Sequence, residues 1–484
     1  MNSFFRRRML LCSLKFYGVR RLYFFTIFIF VSSLIVFGLI GYHKPFHQKK
    51  IHSDKQQREQ RKTGTISGVV NLPQNNGQQK PTVETSDQNS TKRLPNSPDQ
   101  LHILSSDVLK LMRTTKPNYN IHTFYYPWYG NPKYDKVYLH WGHVYEQHWN
   151  ALYAKQWPSG RHSPPEDIGS NFYPTLGTYS SRDKAVLESH MRQIRAAGIG
   201  VVVVSWLPAN SNDGEGKSWN HVMMILLDTA HKYSLKIAFH LEPYKHRSIF
   251  SIQHNLKYIF KTYGHHPALY KHQHNGKILP MMYVYDSYEI TLDRWQYLLR
   301  PGERYSIRGS EIDAFFIGLL VKASHRRELL ESGFDGFYSY FASVGFSYGA
   351  SPQNWGSLSA FARQKNLMFI PSVGPGYDDT RIRPWNFQNK KSRNNGTYYE
   401  KNFKLAMKAK TGIISITSFN EWHEGTQLEM ASPHDIRNSY DDVIYSYEDY
   451  EPYPPDYYIT LTNKLVKQFS DKRPSSNSKP LKGL

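Results

Sequence analysis

The stretch Arg182–Trp206, RDKAVLESHMRQIRAAGIGVVVVSW, sets two kinds of segment end to end. Arg182–Ala197 has helix-like patterning, and Gly200–Ser205 is a continuous apolar run. A strand with one wet face alternates polar and apolar residues, whereas a parallel strand covered on both faces stays apolar throughout. The same unit recurs along the chain. Further runs fall at His122–Pro127, Lys236–Leu241, Pro280–Tyr285, Ala314–Leu320, Gly336–Phe341, Leu367–Ser372 and Gly412–Ser418, which makes eight in all. Helices are predicted between them at His221–Tyr233, Ile252–Tyr263, Leu292–Leu299, Ser324–Ser332, Trp355–Lys365 and Glu400–Lys410. Eight strands alternating with helices over residues 116–467 predict an α/β fold, a (β/α)8 TIM barrel. A doubly wound open sheet is the alternative, weakened because no Gly-rich fingerprint follows the first strand.

The flanks differ. Leu22–Tyr42 is a run of 21 residues without a charge. At about 1.5 Å per residue it reaches about 31 Å, enough to cross the hydrocarbon core. It is longer than an ordinary signal-peptide core, and no small-x-small cleavage site comes after it. It therefore reads as an uncleaved transmembrane signal-anchor behind a short basic tail, 1–21. Arginines and lysines crowd both sides, so the positive-inside count does not orient it. Two sequons, at Asn89 and Asn395, are glycosylation candidates and favour a luminal side for the chain beyond the span. Residues 43–115, rich in Gln, Asn, Ser, Lys and Pro, read as a disordered stem with room for a short helix near Leu101–Leu111. Residues 468–484 read as a polar tail.

A net charge of +22 raises the question of nucleic acid. Residues 1–62 hold +11 of it and 464–484 another +5, while 116–463 hold only +5. The basic excess lies in the ends, as for solvated tails and membrane flanks, so no nucleic-acid partner is expected. The single cysteine, Cys12, excludes an intramolecular disulfide framework and a cysteine zinc site. Aromatic residues reach 15%, with 36 Tyr and 10 Trp, the residue types that cover pyranose C–H faces while still donating hydrogen bonds.

In such a barrel the chemistry gathers at the C-terminal strand ends. Polar and aromatic residues collect there: Tyr126 with Trp128 after the first run, then His140-Trp141-Gly142-His143, Trp206, His240-Leu241-Glu242, Tyr285-Asp286, Tyr377, Arg383-Pro384-Trp385, and finally Asn420-Glu421-Trp422-His423-Glu424. Glu421 and Glu424 stand three apart where an apolar run stops. On a continuing strand their Cα atoms would be about 10 Å apart and face oppositely. On a helical turn they would be neighbours, about 5–6 Å apart. Glycosidic cleavage needs two such carboxyls, one protonated and one ionised. An exposed acidic loop is the competing reading. His140-x-x-His143 and His240-x-Glu242 could serve zinc, but neither has the i, i+4 zincin spacing, and sugar contacts or structural roles suit them better. Trp206 and Trp385 suit either a sugar platform or the core beneath the loops.

The blocks FYYPWYGNP (124–132), DIGSNFYPTLGTYSSRD (167–183), FHLEPY (239–244), YVYDSY (283–288), IPSVGPGYD (370–378), IRPWN (382–386) and IISITSFNEWHEGTQ (413–427) resemble glycoside hydrolase family 99. The resemblance covers nearly all of 120–430. It implies a metal-independent, cofactor-free barrel that acts as an endo-glycosidase. Its partner would be a glucosylated high-mannose N-glycan on a glycoprotein, cut at the internal α-1,2-mannoside bond with retention, releasing glucosyl-α-1,3-mannose. The family is thought to use the mannose 2-OH as nucleophile through a 1,2-anhydro sugar. Carried over by motif, Glu421 would deprotonate that hydroxyl, and Glu424 would protonate the leaving oxygen and then activate water. Substrate contacts would fall to Tyr126, His140, Trp141, Trp206, His240, Glu242, Tyr285, Asp286, Tyr377, Arg383, Trp385, Asn420 and Trp422. The anchor and stem resemble those of the animal Golgi members, which implies a single-pass type II Golgi membrane protein with a luminal catalytic domain. Two positions depart from the pattern: Leu207 stands where the family usually has Tyr or Trp, which puts glucose preference in doubt, and Gly142 where animal relatives carry a polar residue. A sugar-binding barrel without turnover and a Golgi glycosyltransferase are the other readings; the chain has no Asp-x-Asp to support the latter.

Overall fold

The computed structural model describes residues 104–211, 218–274 and 276–472. The expected tail 1–21, the span 22–42, Asn89 and most of the stem lie outside the described residues. Among the described residues no helix is long and apolar enough to cross a membrane.

The strands of the main sheet are β1 (Asn118–Tyr125), β2 (Ile199–Trp206), β3 (Lys236–Leu241), β4 (Lys271–His274), β5 (Lys277–Val284), β6 (Phe315–Leu319), β7 (Gly336–Tyr338), β8 (Met368–Ile370), β9 (Ser372–Val373) and β10 (Ile414–Ile416). All but β4 are parallel and run in the order β8-β7-β6-β5-β3-β2-β1-β10-β9. β4 is a hairpin partner of β5. β10 pairs with β1, Ile121 opposite Ile414, and with β9, which continues directly from β8 at the other end of the order and so excludes the open sheet. β8 and β9 lie in line, separated by Pro371, so nine segments fill eight staves of a nearly closed barrel. The run Leu367–Ser372, expected as one strand, is therefore broken in two. Proline lacks an N–H and cannot carry the ladder through. Serines take over: Ser372 N–H donates to Ser339 Oγ, Tyr340 N–H to Ser372 Oγ, both at 2.8 Å, and the Ser372 and Ser415 hydroxyls meet at 2.7 Å.

Every residue of β2 is buried, as the unbroken valines require. Inside the barrel the filling is aromatic and polar: His122 Nδ1 lies 2.7 Å from the Tyr283 hydroxyl, and His240 Nε2 2.7 Å from that of Tyr338. Burial holds the His122 pKa down at about 3, so the ring fills the core uncharged. The predicted helices form between the staves, at 184–196, 223–232, 249–263, 292–299, 325–332, 355–364 and 397–408. Asp183 caps the first by accepting from Ala185 N–H, and Ser248 with Ser251 forms a capping box on the third.

Two boundaries move. Ser106–Thr114 is a helix with Val108 fully buried, within the stretch 43–115 expected as stem. Tyr457–Asp471 is a helix that runs past the expected end at 467 and buries Leu465, Val466 and Phe469. Ser105 bonds to Asp456, and Asn463 Nδ2 donates to Thr115 Oγ1 at 2.9 Å and to Ala196 O at 2.7 Å. The two ends thus clasp the helix 184–196 that comes after β1.

Gly200 shows how tightly β1 and β2 approach. A Cβ there would stand 2.5 Å from the Asn118 carbonyl carbon and 2.6 Å from Tyr119 N, at an irregular step in the ladder. Backbone cannot move aside as a flexible side chain can. Gly200→Ala is expected to cost about 1–3 kcal/mol in urea unfolding, with unchanged stability speaking against this packing.

Candidate active site

The eighth stave ends at Ile416, and the Thr417–Ser418 peptide is cis. Beyond it the chain folds back on itself. Ser418 N–H donates to Thr426 O at 2.8 Å, Glu421 N–H to Ser418 Oγ at 2.7 Å, and Gly425, at φ +60°, closes the turn on Trp422 O at 3.1 Å. This turn puts Glu421 and Glu424 on one side, as neither a straight strand nor an exposed acidic loop would. Asn420 fixes it to the first stave, accepting from Tyr126 N–H at 2.8 Å and donating to Tyr126 O at 2.9 Å.

Glu421 is 4% exposed, while the Glu424 side chain keeps 24%. Burial pushes the Glu421 carboxyl well up, the nearby Glu424 charge pushes it further, and Arg383 opposes both. Tyr126 and Tyr340 join hydroxyl to hydroxyl in front of them. Burial raises both phenols well above their ordinary range, with Glu421 acting on Tyr126, and Tyr126 and Glu424 on Tyr340. These phenols therefore stay protonated as donors. Tyr340 adopts φ 55° and links the two walls: its ring lies 5.8 Å from His240 and 4.8 Å from Tyr285. On that second wall Glu242 Oε1 is 3.0 Å from His240 Nδ1, and Tyr288 OH donates to Asp286 Oδ1 at 2.8 Å.

Arg383 is held by carboxylates on two segments. Nε and Nη2 donate to the two Glu146 oxygens, each at 3.0 Å, Nη1 donates to Asp379 Oδ2 at 3.1 Å, and Nη1 lies 3.8 Å from Glu424 Oε1. Tyr377 OH also donates to Asp379 Oδ2, at 3.0 Å. Trp385 Nε1 donates to Glu146 O at 2.8 Å. His140 stacks on Trp128 at 4.6 Å, and Trp128 lies 4.6 Å from Tyr126.

Three tryptophans expected as substrate contacts are buried anchors instead. Trp141 stacks on Tyr129 and donates to Tyr179 O; Trp206 donates to Asn220; Trp422 donates to Tyr179 OH and Glu429 Oε2. No ring face remains open on any of them. Asn420 spends its amide on the Tyr126 backbone rather than toward the cleft. Leu207 is 5% exposed and so tucked into the wall. Gly142 sits where a Cβ would stand 3.1 Å from His162 O, a tight fit for a side chain. Asn395 is exposed in a short turn. Among the described residues no group of three or more His, Cys, Asp or Glu is arranged to hold a metal ion. His143 and His423, 4.7 Å apart, are held uncharged chiefly by burial, His423 at about 3. Glu146, Tyr340 and Glu429 carry no signal in the sequence that singles them out.

A parallel barrel with two neighbouring carboxyls beyond the end of its last stave, one of them raised by burial and by the other's charge, fits a glycoside hydrolase site. The model of glycosyl hydrolase family 99 matches residues 116–471. The chain is 51% identical over 357 residues to the glycoprotein endo-alpha-1,2-mannosidase of Mus musculus, covering 74% of this chain and 76% of that protein. It is 48% identical over 375 residues to a glycoprotein endo-alpha-1,2-mannosidase-like protein of Danio rerio, covering 76% and 84%. Among solved structures, the family 99 endo-alpha-mannosidase of Bacteroides thetaiotaomicron superposes with a TM-score of 0.66 at 39% identity, over 74% of this chain and 99% of that one. The chain belongs to glycosyl hydrolase family 99 and is a glycoside hydrolase.

A raised carboxyl is also a stability statement. Glu421 titrates higher folded than unfolded, so the stability it allows is full below the ordinary glutamate pKa and falls as pH rises through the folded value. Glu421→Gln removes the buried charge at constant shape. In thermal melts it should raise Tm at neutral pH, with the gain shrinking to nothing near about pH 4. A gain of equal size at every pH would contradict the charge origin.

Proposed function

We propose that this chain is an endo-acting retaining glycosidase that hydrolyses the internal α-1,2-mannosidic bond of glucosylated high-mannose N-glycans and releases glucosyl-α-1,3-mannose. The observation that carries it is the placement of Glu421 beside Glu424, close enough for the charge of one to raise the carboxyl of the other, on a chain whose relatives bear endo-mannosidase names. Glu421 takes the proton of the mannose 2-OH. The freed oxygen closes on the anomeric carbon as the glycosidic bond breaks, and Glu424 gives its proton to the departing oxygen. Glu424, now a carboxylate, then takes a proton from water; the water oxygen opens the 1,2-anhydro ring, and O2 regains its proton from Glu421. Two inversions at one carbon retain configuration. Attack from within the sugar needs no enzyme carboxylate at the anomeric carbon and carries a large entropic advantage. Burial suits Glu421 to this task, because a raised pKa makes a carboxylate a stronger base. Tyr126, His140, His240, Glu242, Tyr285, Asp286, Tyr377 and Trp385 supply substrate contacts or hold those that do. The location in this reading is the Golgi membrane, single-pass type II, with the catalytic domain luminal; the uncharged run 22–42 and the two sequons support it.

Incubation of the purified full-length chain with glucosylated and non-glucosylated high-mannose glycans, with and without chelator, tests the activity by product mass. Chelator-insensitive release of glucosyl-mannose is expected, reduced by about 10²-fold or more in Glu421→Gln and in Glu424→Gln. Release only of mannose-capped fragments would assign Leu207 a change of specificity, and no release from any glycan would refute the reading. For the location, enzymatic deglycosylation of the expressed chain should shift its electrophoretic mobility, and an Asn89→Gln/Asn395→Gln double variant should show no shift. A chain that never shifts in either form would count against a luminal catalytic domain.

A further inference from the structure

Arg383 stands 3.8 Å from Glu424, the group proposed to hold a proton. A bare guanidinium at that distance would strip the proton away, since an opposite charge within about 4–6 Å favours the ionised carboxyl by 1–3 pKa units. The charge is not bare. Glu146 takes two of its N–H groups in a bidentate pair and Asp379 a third. Glu146 is itself fixed to the segment that carries Arg383: its N–H donates to Ile382 O, and Trp385 Nε1 donates to its carbonyl, both at 2.8 Å. Burial of the ion group strengthens these pairings relative to water.

The geometry points to Glu146 as a positioning residue that holds Arg383 and absorbs its charge, so that Glu424 keeps a proton and Glu421 keeps its basicity at one working pH. This rests on the acid and base roles proposed above. The remaining groups that face the pair do not supply the same effect. Tyr126 from the first stave and Tyr340 from after the sixth are phenols held protonated. Tyr377 OH donates a hydrogen bond to Asp379 Oδ2 and is likewise held protonated. His143 and His423 are held uncharged. Glu242, on the opposite wall, adds to the negative side and acts on Glu421 rather than through Arg383. Asp379 alone cannot balance Arg383 and also leave an excess of negative charge around Glu424; with Glu146 the guanidinium faces two carboxylates besides the acid.

The test is the pH profile of kcat/KM for the purified full-length chain on a glucosylated high-mannose oligosaccharide. Glu146→Gln should move both limbs to lower pH by about 1 unit, because the uncovered charge now favours ionisation of both carboxyls. Glu146→Asp keeps the charge and should leave the limbs in place even if kcat falls. Asp379→Asn, which removes the other counter-charge, should move the limbs in the same direction as Glu146→Gln and carries the test should that variant not fold. Limbs unmoved in Glu146→Gln, with only kcat or KM changed, would overturn the inference and leave Glu146 a structural tie. Activity surviving in Glu421→Gln or Glu424→Gln would instead defeat the acid–base reading itself, so the two failures are distinct.

Discussion

A single amide joins the first stave of this barrel to the last at the level of Glu421. Asn420 presents an acceptor and a donor to the backbone of Tyr126 and so imitates one peptide unit of a neighbouring strand. The true ladder between β1 and β10 stops at Thr123 and Ile416. Phe419 N–H carries it one step further by donating to Phe124 O at 2.9 Å, and the asparagine side chain carries it the last step. Glu421 comes immediately after on one side of the clamp, and the Tyr126 ring stands on the other. Only Asn among residues of this size offers both partners; Asp lacks the donor and Leu lacks both.

Beneath that clamp the turn is held by a second buried device. Glu429, almost wholly enclosed, accepts from Tyr179 OH at 2.8 Å, Trp422 Nε1 at 3.0 Å and His190 Nε2 at 3.0 Å. His190 is held in turn by Tyr125 OH at 2.9 Å. A buried carboxylate with so many donors is costly to break and narrow in geometry, which fixes the indole of Trp422 and with it the spacing of the two glutamates on either side. The cleft is thus framed by carboxyls at two levels: Glu429, spent on hydrogen bonds, and the proposed catalytic pair, Glu421 and Glu424.

The sequence carries the staves well because the unbroken apolar runs leave little else to be: Gly200–Ser205 and Lys236–Leu241 can be bounded almost to the residue. It carries the acid pair because Glu421 and Glu424 stand at the end of such a run. It does not show which aromatic residues face the cleft. Trp141, Trp206 and Trp422 stand at strand ends as a sugar platform would, yet the partners that bury them come from distant segments. Glu146 and Arg383 are 237 positions apart, and Glu429 and His190 are 239 apart, so no spacing rule connects either pair. Tyr340 is hidden for another reason: its role depends on a left-handed backbone at a strand end, and a tyrosine there gives no such signal. The closing helix Tyr457–Asp471 is hard to bound because the polar tail beyond it blurs where its buried face stops.

The break at Pro371 bears on whether this site can be moved. Tyr340 leaves the sheet after the sixth stave, beside the break in the seventh, its N–H taken by the Ser372 hydroxyl instead of by a strand carbonyl. The tyrosine that touches Tyr126, His240 and Tyr285 is therefore aimed by a discontinuity in the sheet, not by its regular pleat. A regular eight-stave barrel grafted with the same glutamates and tyrosines would present them on the wrong bearing. The transferable unit has to include the proline and the serines at 339, 372 and 415, residues buried in the sheet that a transplant guided by the cleft alone would leave behind.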